Sequence, residues 1–260
     1  MRELEVAREA AKLGAARLME SFGHDRSARA KAGVDLVTDA DFASERLIVE
    51  CIRQHFPSDE ILGEEGTHAD LTADRLWVVD PLDGTTNYAH AIPHFAVSIG
   101  FYQGGTAQCG VIVNPARQDW YTVSRGHGAF HNGQRAKVSE AGSMSEVLIG
   151  VGFYYDRGTM MEATLAAVHD CFKQQIHGIR RFGTAALDLC QVGMGWYGGF
   201  FEYQLSPWDF AAGRLFVEEA GGRVTTCRGD ALPMEKTSVL ASNGHLHDAM
   251  LAIVSNRHPA

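Results

Sequence analysis

Acidic side chains at the ends of apolar runs carry the chemistry this chain offers. In Trp77-Val78-Val79-Asp80-Pro81-Leu82-Asp83-Gly84-Thr85-Thr86-Asn87 an apolar strand arrives at one carboxylate, and a second follows three residues later. The run then opens onto Gly84-Thr85-Thr86, where backbone N–H groups can point outward together. Carboxylate and carbonyl oxygens are what Mg2+ binds, and N–H groups at a helix start beside such ions make a phosphate site. The same residues also describe a plain turn, with Pro81 in second position and Asp83 as turn former. Glu64-Glu65, after Ile61-Leu62-Gly63, is either a solvated loop or an acid pair at the end of a buried strand. Asp209 reads as a cap, with Ser206 before the helix and Pro207 opening it, and Asp41 repeats the pattern after Thr38. Taken singly, each position suits a turn, loop or cap at least as well as a ligand. Together, acids at strand ends and helix starts can meet in one crevice, where they would repel unless cations neutralised them.

Other chemistries fit less well. The 12 histidines form no H-E-x-x-H motif, and His90, His94, His127 and His131 read as loop or surface residues. Ser98, Ser124 and Ser206 lack the G-x-S-x-G elbow of a serine hydrolase. Gly193-Met194-Gly195-Trp196-Tyr197-Gly198-Gly199 precedes a strand, the wrong order for a dinucleotide loop. The five cysteines, Cys51, Cys109, Cys171, Cys190 and Cys227, contain no C-x-x-C pair and sit among apolar residues. They read as reduced core thiols of a cytoplasmic protein, and zinc on Cys/His is not expected. A net charge of −9 argues against non-specific nucleic-acid binding, the adjacent Arg180 and Arg181 notwithstanding. Neither a membrane span nor a secretory signal is expected.

Positioning those acids falls to alternating helices and strands. Leu4, Ala7, Ala11, Leu18 and Phe22 predict a helix over 3–22, a polar loop spans 24–37, and a second helix runs from 39 to 55. Ile61–Gly63 and Leu76–Val79 read as short buried strands. Residues 94–150 read as an antiparallel section, with strands at 95–102, 106–113 and 119–123. Beyond them come helices at 159–173, 184–193, 207–220 and from 244, with strands at 176–181, 198–203, 223–226 and 238–242. This order indicates a layered α+β or α/β fold.

With these motifs in view, the chain resembles the inositol monophosphatase family over essentially its whole length, and within it the bacterial inositol-1-monophosphatases. That family lies within a lithium-sensitive, metal-dependent phosphatase superfamily. Asp80–Asn87 matches the first family motif, and Trp208-Asp209-Phe210-Ala211-Ala212-Gly213 with Glu219-Ala220-Gly221-Gly222 matches the second. Gly63-Glu64-Glu65-Gly66 and Asp35-Leu36-Val37-Thr38-Asp39-Ala40-Asp41 complete the pattern. The resemblance implies one domain over residues 1–260, an α/β/α/β/α sandwich of the inositol monophosphatase/fructose-1,6-bisphosphatase type. Its α+β half would end near residue 140 and its α/β half would begin near 141.

The resemblance also implies roles. Glu64, Asp80 and the Leu82 carbonyl would hold one Mg2+, and Asp80, Asp83 and Asp209 a second. Glu64 would help place a third through water, giving two to three ions per site. Gly84 and Thr85 would offer N–H groups to the phosphate, with Asp83 and Asp209 also facing substrate, while the Thr85 hydroxyl and Asp41 orient the attacking water. Glu65 would support these ligands from behind. The reaction would be in-line attack of a metal-activated water on an inositol monophosphate, with no covalent phosphoenzyme. Gly183-Thr184-Ala185 and Glu202 match positions that contact the inositol ring. Lys31, the counterpart of a family lysine near the metal loop, stands one residue closer to Asp35 than in the animal enzymes, and the loop from Glu65 to Trp77 is short. Fructose 1,6-bisphosphate, histidinol phosphate and 3′-phosphoadenosine nucleotides remain alternative substrates for the same machinery. A regulatory protein that binds the transcription apparatus, RNA polymerase included, is the alternative of another class. A homodimer in the cytoplasm is what the resemblance implies for assembly and location.

Overall fold

Apolar spacing assigns most of the chain to its elements. The computed structural model describes residues 1–24, 29–32, 35–153 and 155–259, the side chains of 29–32 and 35–37 excepted. Helices α1 (Arg2–Ser21) and α2 (Asp39–His55) flank a small antiparallel pair, β1 (Arg29–Ala32) and β2 (Asp35–Val37). A seven-stranded sheet follows in chain order: β3 (Glu60–Gly63), β4 (Arg75–Asp83), β5 (Ala96–Gln103), β6 (Thr106–Asn114), β7 (Asp119–Ser124), β8 (Gly128–His131) and β9 (Gln134–Arg135). Only β3 and β4 run parallel, and the short α3 (Thr85–Ala89) sits between β4 and β5. The second sheet comprises β10 (Leu148–Val151), β11 (Gly178–Arg180), β12 (Gly199–Leu205), β13 (Arg223–Thr225) and β14 (Thr237–Ser242). Its spatial order is β11-β10-β12-β14-β13. Interleaved with it are α4 (Thr159–Lys173), α5 (Ala185–Gly193), α6 (Pro207–Glu219) and α7 (His247–Arg257).

Side-chain alternation sorts these elements into five layers. On β4, Trp77 and Val79 pack with Ala10, Ala11, Leu18, Ile48 and Ile52 of α1 and α2. Their neighbours Leu76 and Val78 point the other way, onto Ala186, Leu187, Ala211, Leu215 and Phe216 of α5 and α6. The strand is apolar throughout because both its faces are covered. Helices α5 and α6 must then be apolar on two sides. Leu189, Val192, Phe210 and Val217 face Phe200, Val239 and Ala241 of the second sheet. Its far side, Ile149, Val151, Phe201 and Leu240, is closed by Ala167 and Cys171 of α4 with Met250 and Val254 of α7. The result is the expected α/β/α/β/α sandwich.

Particular boundaries differ from expectation. Part of the stretch read as a polar loop, 24–37, is the β1–β2 pair, whose few residues carry too little periodicity to read. Strands β8, β9 and β10 lie in the region read as one antiparallel section. Of these, β10 belongs to the second sheet, where it pairs in parallel with both β11 and β12. Four residues give no period to distinguish a parallel from an antiparallel partner. The most consequential difference is β4, which continues past Val79 to Asp83.

Candidate active site

A bulge in β4 brings its two acids together. Residues of a regular strand alternate, so positions three apart face opposite sides. Here Asp80 pairs with Ser98 and Asp83 with Ala96, three steps along β4 against two along β5. The extra residue turns Asp83 to the same side as Asp80, and the bulge accommodates Pro81, which cannot donate to the ladder. The Asp80 Oδ1 accepts from Leu82 N at 3.0 Å. The chain then leaves the sheet through Gly84, whose φ of 92° caps α3 and suits glycine. A β-carbon there would meet Thr184 Oγ1 at 2.6 Å.

Asp209 and Asp41 are indeed helix caps, and they face the site as well. In α6 the Asp209 Oδ2 accepts from Ser206 N at 2.7 Å, closing a capping box. In α2 the Asp41 Oδ2 accepts from Thr38 N at 2.9 Å, while its Oδ1 accepts from Thr85 Oγ1 at 3.2 Å. The Thr85 hydroxyl also lies 3.1 Å from the Leu82 carbonyl oxygen. Carboxylate oxygens of Asp80, Asp83 and Asp209 lie within 4.8 Å of one another. Glu64 stands outside that close triad, half-buried just past β3, near enough for its charge to act on both Asp80 and Asp83.

Sequence reasoning missed what holds Glu64 and its neighbour in place. Glu45, one turn beyond Asp41 on α2 and buried, accepts from Glu65 N at 2.7 Å, Thr67 N at 3.1 Å and Thr67 Oγ1 at 2.8 Å. A carboxylate on the apolar side of an amphipathic helix was the available signal. Asn87 was also passed over: its side-chain amide donates to the carbonyls of His94 (2.8 Å) and Phe182 (2.7 Å), tying α3 to the loop before Gly183.

These residues open onto a cavity of about 340 Å3, lined by Glu64, Asp83, Gly84, Thr85, Gly183, Thr184, Ala185, Glu202 and Asp209. Asp80 lies buried behind them. Gly152, Tyr155, Arg181 and Asp188 line the cavity too, none of them expected at the site. Gly152 lets Glu202 in, since a β-carbon there would overlap its carboxylate. Asp188 is buried with Oδ1 unpartnered among the described residues. Lys31 belongs to β1, but its side chain lies outside the described residues. Of the four histidines named above, His90 and His127 are exposed, whereas His94 and His131 are half-buried. Burial, then the charge of Arg117, lowers His94 to about 4.

The electrostatics are those of acids crowded together. Burial first, then the charges of Glu64, Asp83 and Asp209, hold Asp80 well above the usual carboxylate range. Asp83 is pushed up to about 7, chiefly by burial, with the Ala186 N–H at 2.7 Å opposing. Glu202 is likewise held well above its usual value by burial and by the Asp209 charge. Buried acids that resist ionisation alone suit a divalent cation, which relieves repulsion and desolvation together.

Comparison with known proteins agrees with this geometry. The sequence profile of the inositol monophosphatase family matches residues 2–258. The Nus factor SuhB of Pseudomonas aeruginosa is 41% identical over 239 residues, 90% of this chain and 88% of that protein. A fructose-1,6-bisphosphatase/inositol-1-monophosphatase of Thermotoga maritima is 36% identical over 240 residues, 92% and 90% of the two chains. The solved inositol monophosphatase of Anabaena superposes with a TM-score of 0.87 at 38% identity, covering 98% of this chain and 96% of that one. The chain belongs to the inositol monophosphatase family, whose members are metal-dependent phosphatases.

Proposed function

We propose that the chain is a Mg2+-dependent phosphomonoesterase acting on a phosphorylated polyol, foremost myo-inositol 1-phosphate. The observation that carries this reading is one cavity joining an oxygen-only acid triad to a buried hydroxyl acceptor, Glu202. Carboxylates and the Leu82 carbonyl are hard donors that suit Mg2+. Glu64, Asp80 and Leu82 would hold one ion, Asp80, Asp83 and Asp209 a second, and Glu64 a third through water. Bound there, the ions supply Lewis-acid stabilisation of the phosphoryl oxygens and a more acidic water.

The remaining work falls to the chain itself. Gly84 and Thr85 direct N–H groups from the start of α3 at the phosphate. Asp41 accepts a hydrogen bond from the Thr85 hydroxyl at 3.2 Å, which leaves the Thr85 oxygen free to accept from, and so orient, the attacking water. Gly183, Thr184, Ala185 and Glu202 face the polyol, the carboxylate of Glu202 accepting its hydroxyls. Positioning and electrostatics of this kind are most of what phosphoryl transfer asks of a protein.

Two relatives' names support neighbouring readings: the Thermotoga protein pairs inositol phosphate with fructose bisphosphate, and the Pseudomonas protein is a Nus factor. Phosphate release with Mg2+ from myo-inositol 1-phosphate, fructose 1,6-bisphosphate, histidinol phosphate and a 3′-phosphoadenosine nucleotide tests the reading. The highest kcat/KM on the inositol ester supports it, preference for another ester reassigns the substrate, and release that survives Asp80→Asn overturns the site. Co-purification with RNA polymerase tests the second role.

A further inference from the structure

At the opposite end of α2 from Asp41, three side chains of a different character meet. Cys51 and His55 stand one turn apart on α2, four residues in sequence, so both leave the same stripe of the helix. Glu9 faces them from α1. The Glu9 carboxylate, the Cys51 sulfur and a His55 ring nitrogen all lie within 4.8 Å of one another, with His55 Nε2 3.5 Å from Glu9 Oε2. In tetrahedral zinc sites, bonds of about 2.0–2.3 Å place ligand atoms roughly 3.3–3.8 Å apart. Small side-chain rotations therefore close the set.

We infer that Glu9, Cys51 and His55 form a second, surface metal site that takes Zn2+ or a similar borderline divalent ion in preference to Mg2+. A thiolate and an imidazole are softer donors than Mg2+ accepts, whereas the catalytic acids offer oxygen alone. The absence of a C-x-x-C pair hid this site in the sequence, since its spacing is C-x-x-x-H on a helix and its third ligand is 42 residues away. Cys51 is 4% exposed, so the sulfur forms the floor. The His55 and Glu9 side chains, 36% and 60% exposed, form a rim that leaves a fourth position to water. Burial, then the Glu9 charge, holds the thiol at about 11, so the metal displaces its proton on binding.

Position separates this site from the catalytic one. Cys51 lies ten residues along α2 from Asp41, about 15 Å of helix. An ion there would pin α1 to the helix whose other end braces the site through the bonds of Asp41 to Thr85 and of Glu45 to the 65–67 loop. Ser44 donates to the Pro81 carbonyl at 3.0 Å, so α2 already braces the bulge of β4.

Cobalt distinguishes the two sites, because only a cysteine ligand gives a thiolate-to-cobalt charge-transfer band. The full metal-free chain is titrated with Co2+ in excess Mg2+. A near-ultraviolet band saturating at one equivalent, and displaced by Zn2+, is the expected result. Cys51→Ser should abolish it, His55→Ala should weaken binding at least about tenfold, and Asp80→Asn should leave it intact. His55 is exposed enough that its variant serves even if Cys51→Ser fails to fold. No band in the parent chain, a band unchanged in His55→Ala or persisting in folded Cys51→Ser, or loss of the band in Asp80→Asn overturns the site.

Discussion

Asp41→Asn separates the two duties of one carboxylate. One oxygen caps α2 through the Thr38 N–H, and the other accepts the Thr85 hydroxyl. An amide keeps a single acceptor. Turning its NH2 toward Thr38 would set two donors face to face, so the oxygen keeps the cap and the NH2 meets Thr85. The Thr85 hydroxyl then turns wholly to the Leu82 carbonyl, 3.1 Å away, and the water loses its orienting partner. Loss of that orientation should lower kcat about 100-fold, with KM little changed.

Stability should move the other way. Burial raises Asp41 from 3.8 to about 6, against the opposing bonds from Thr38. The ionised form therefore destabilises the fold above pH 6, by up to about 3 kcal/mol, and that penalty fades as pH falls through 6 toward 3.8. Any residual weakening of the cap subtracts about 1 kcal/mol. In chelator at pH 8 the variant should thus melt about 4–8 °C above the parent, at roughly 2–4 °C per kcal/mol, with the difference vanishing near pH 4. The parent's kcat should fall on the acidic side as Asp41 protonates, and that limb should be absent in the variant. Phosphate-release kinetics from pH 5 to 9 and thermal melts in chelator test all of this. A variant turning over within threefold of the parent, or one that melts lower at pH 8 than at pH 4 relative to it, refutes the reasoning.

Other substitutions read other parts of the site. Glu202→Ala removes an acceptor for the polyol hydroxyls worth about 0.5–1.5 kcal/mol, so KM for myo-inositol 1-phosphate should rise roughly threefold to tenfold while that for a small aryl phosphate stays put; equal effects on both esters count against ring recognition. Glu45→Gln sets a donor against the N–H of either Glu65 or Thr67, costing about 1–3 kcal/mol and weakening Mg2+ binding about 10–100-fold. Calorimetric titration showing parental affinity would mean the 64–67 loop holds itself. Gly84→Ala forces a positive φ and a 2.6 Å approach to Thr184 Oγ1. The strain, about 1–3 kcal/mol, should shift α3 and lower kcat about 100-fold, and unaltered turnover would show that those N–H groups do not reach the phosphate.

Much of the fold was legible because its longer elements carry a period. Helices α1, α2, α4, α5 and α6 match expectation to within a residue or two, since each repeats apolar residues over several turns. Failures fell where few residues leave no period to read: the β1–β2 pair, the β8–β9 hairpin and β10. The extension of β4 to Asp83 was illegible for another reason. Pro81 and Gly84 read as turn residues, and only the partner strand reveals that the irregularity is a bulge within the ladder. Of the site, the acids were legible and their supports were not. Glu45, Asn87 and Gly152 act through contacts with residues far away in the chain, which spacing does not encode.

For the four aspartates, the ambiguity dissolves on a common observation. Asp80 accepts from Leu82 N, Asp83 from Ala186 N, Asp209 from Ser206 N and Asp41 from Thr38 N, at 2.7–3.0 Å. A carboxylate has two oxygens, and in each case a backbone N–H holds one of them. Fixing one oxygen fixes the direction of the other, so the local bond supplies aim that a free rotamer would lack. Cap or ligand, turn or ligand, was therefore never a choice between exclusive readings. The local bond anchors the carboxylate and leaves its second oxygen for a ligand. The same backbone donors favour the charged form of each acid, opposing burial without overcoming it at Asp41 or Asp83. The acids are thus held ready but still under-neutralised, which is the condition in which a divalent cation gains most by binding.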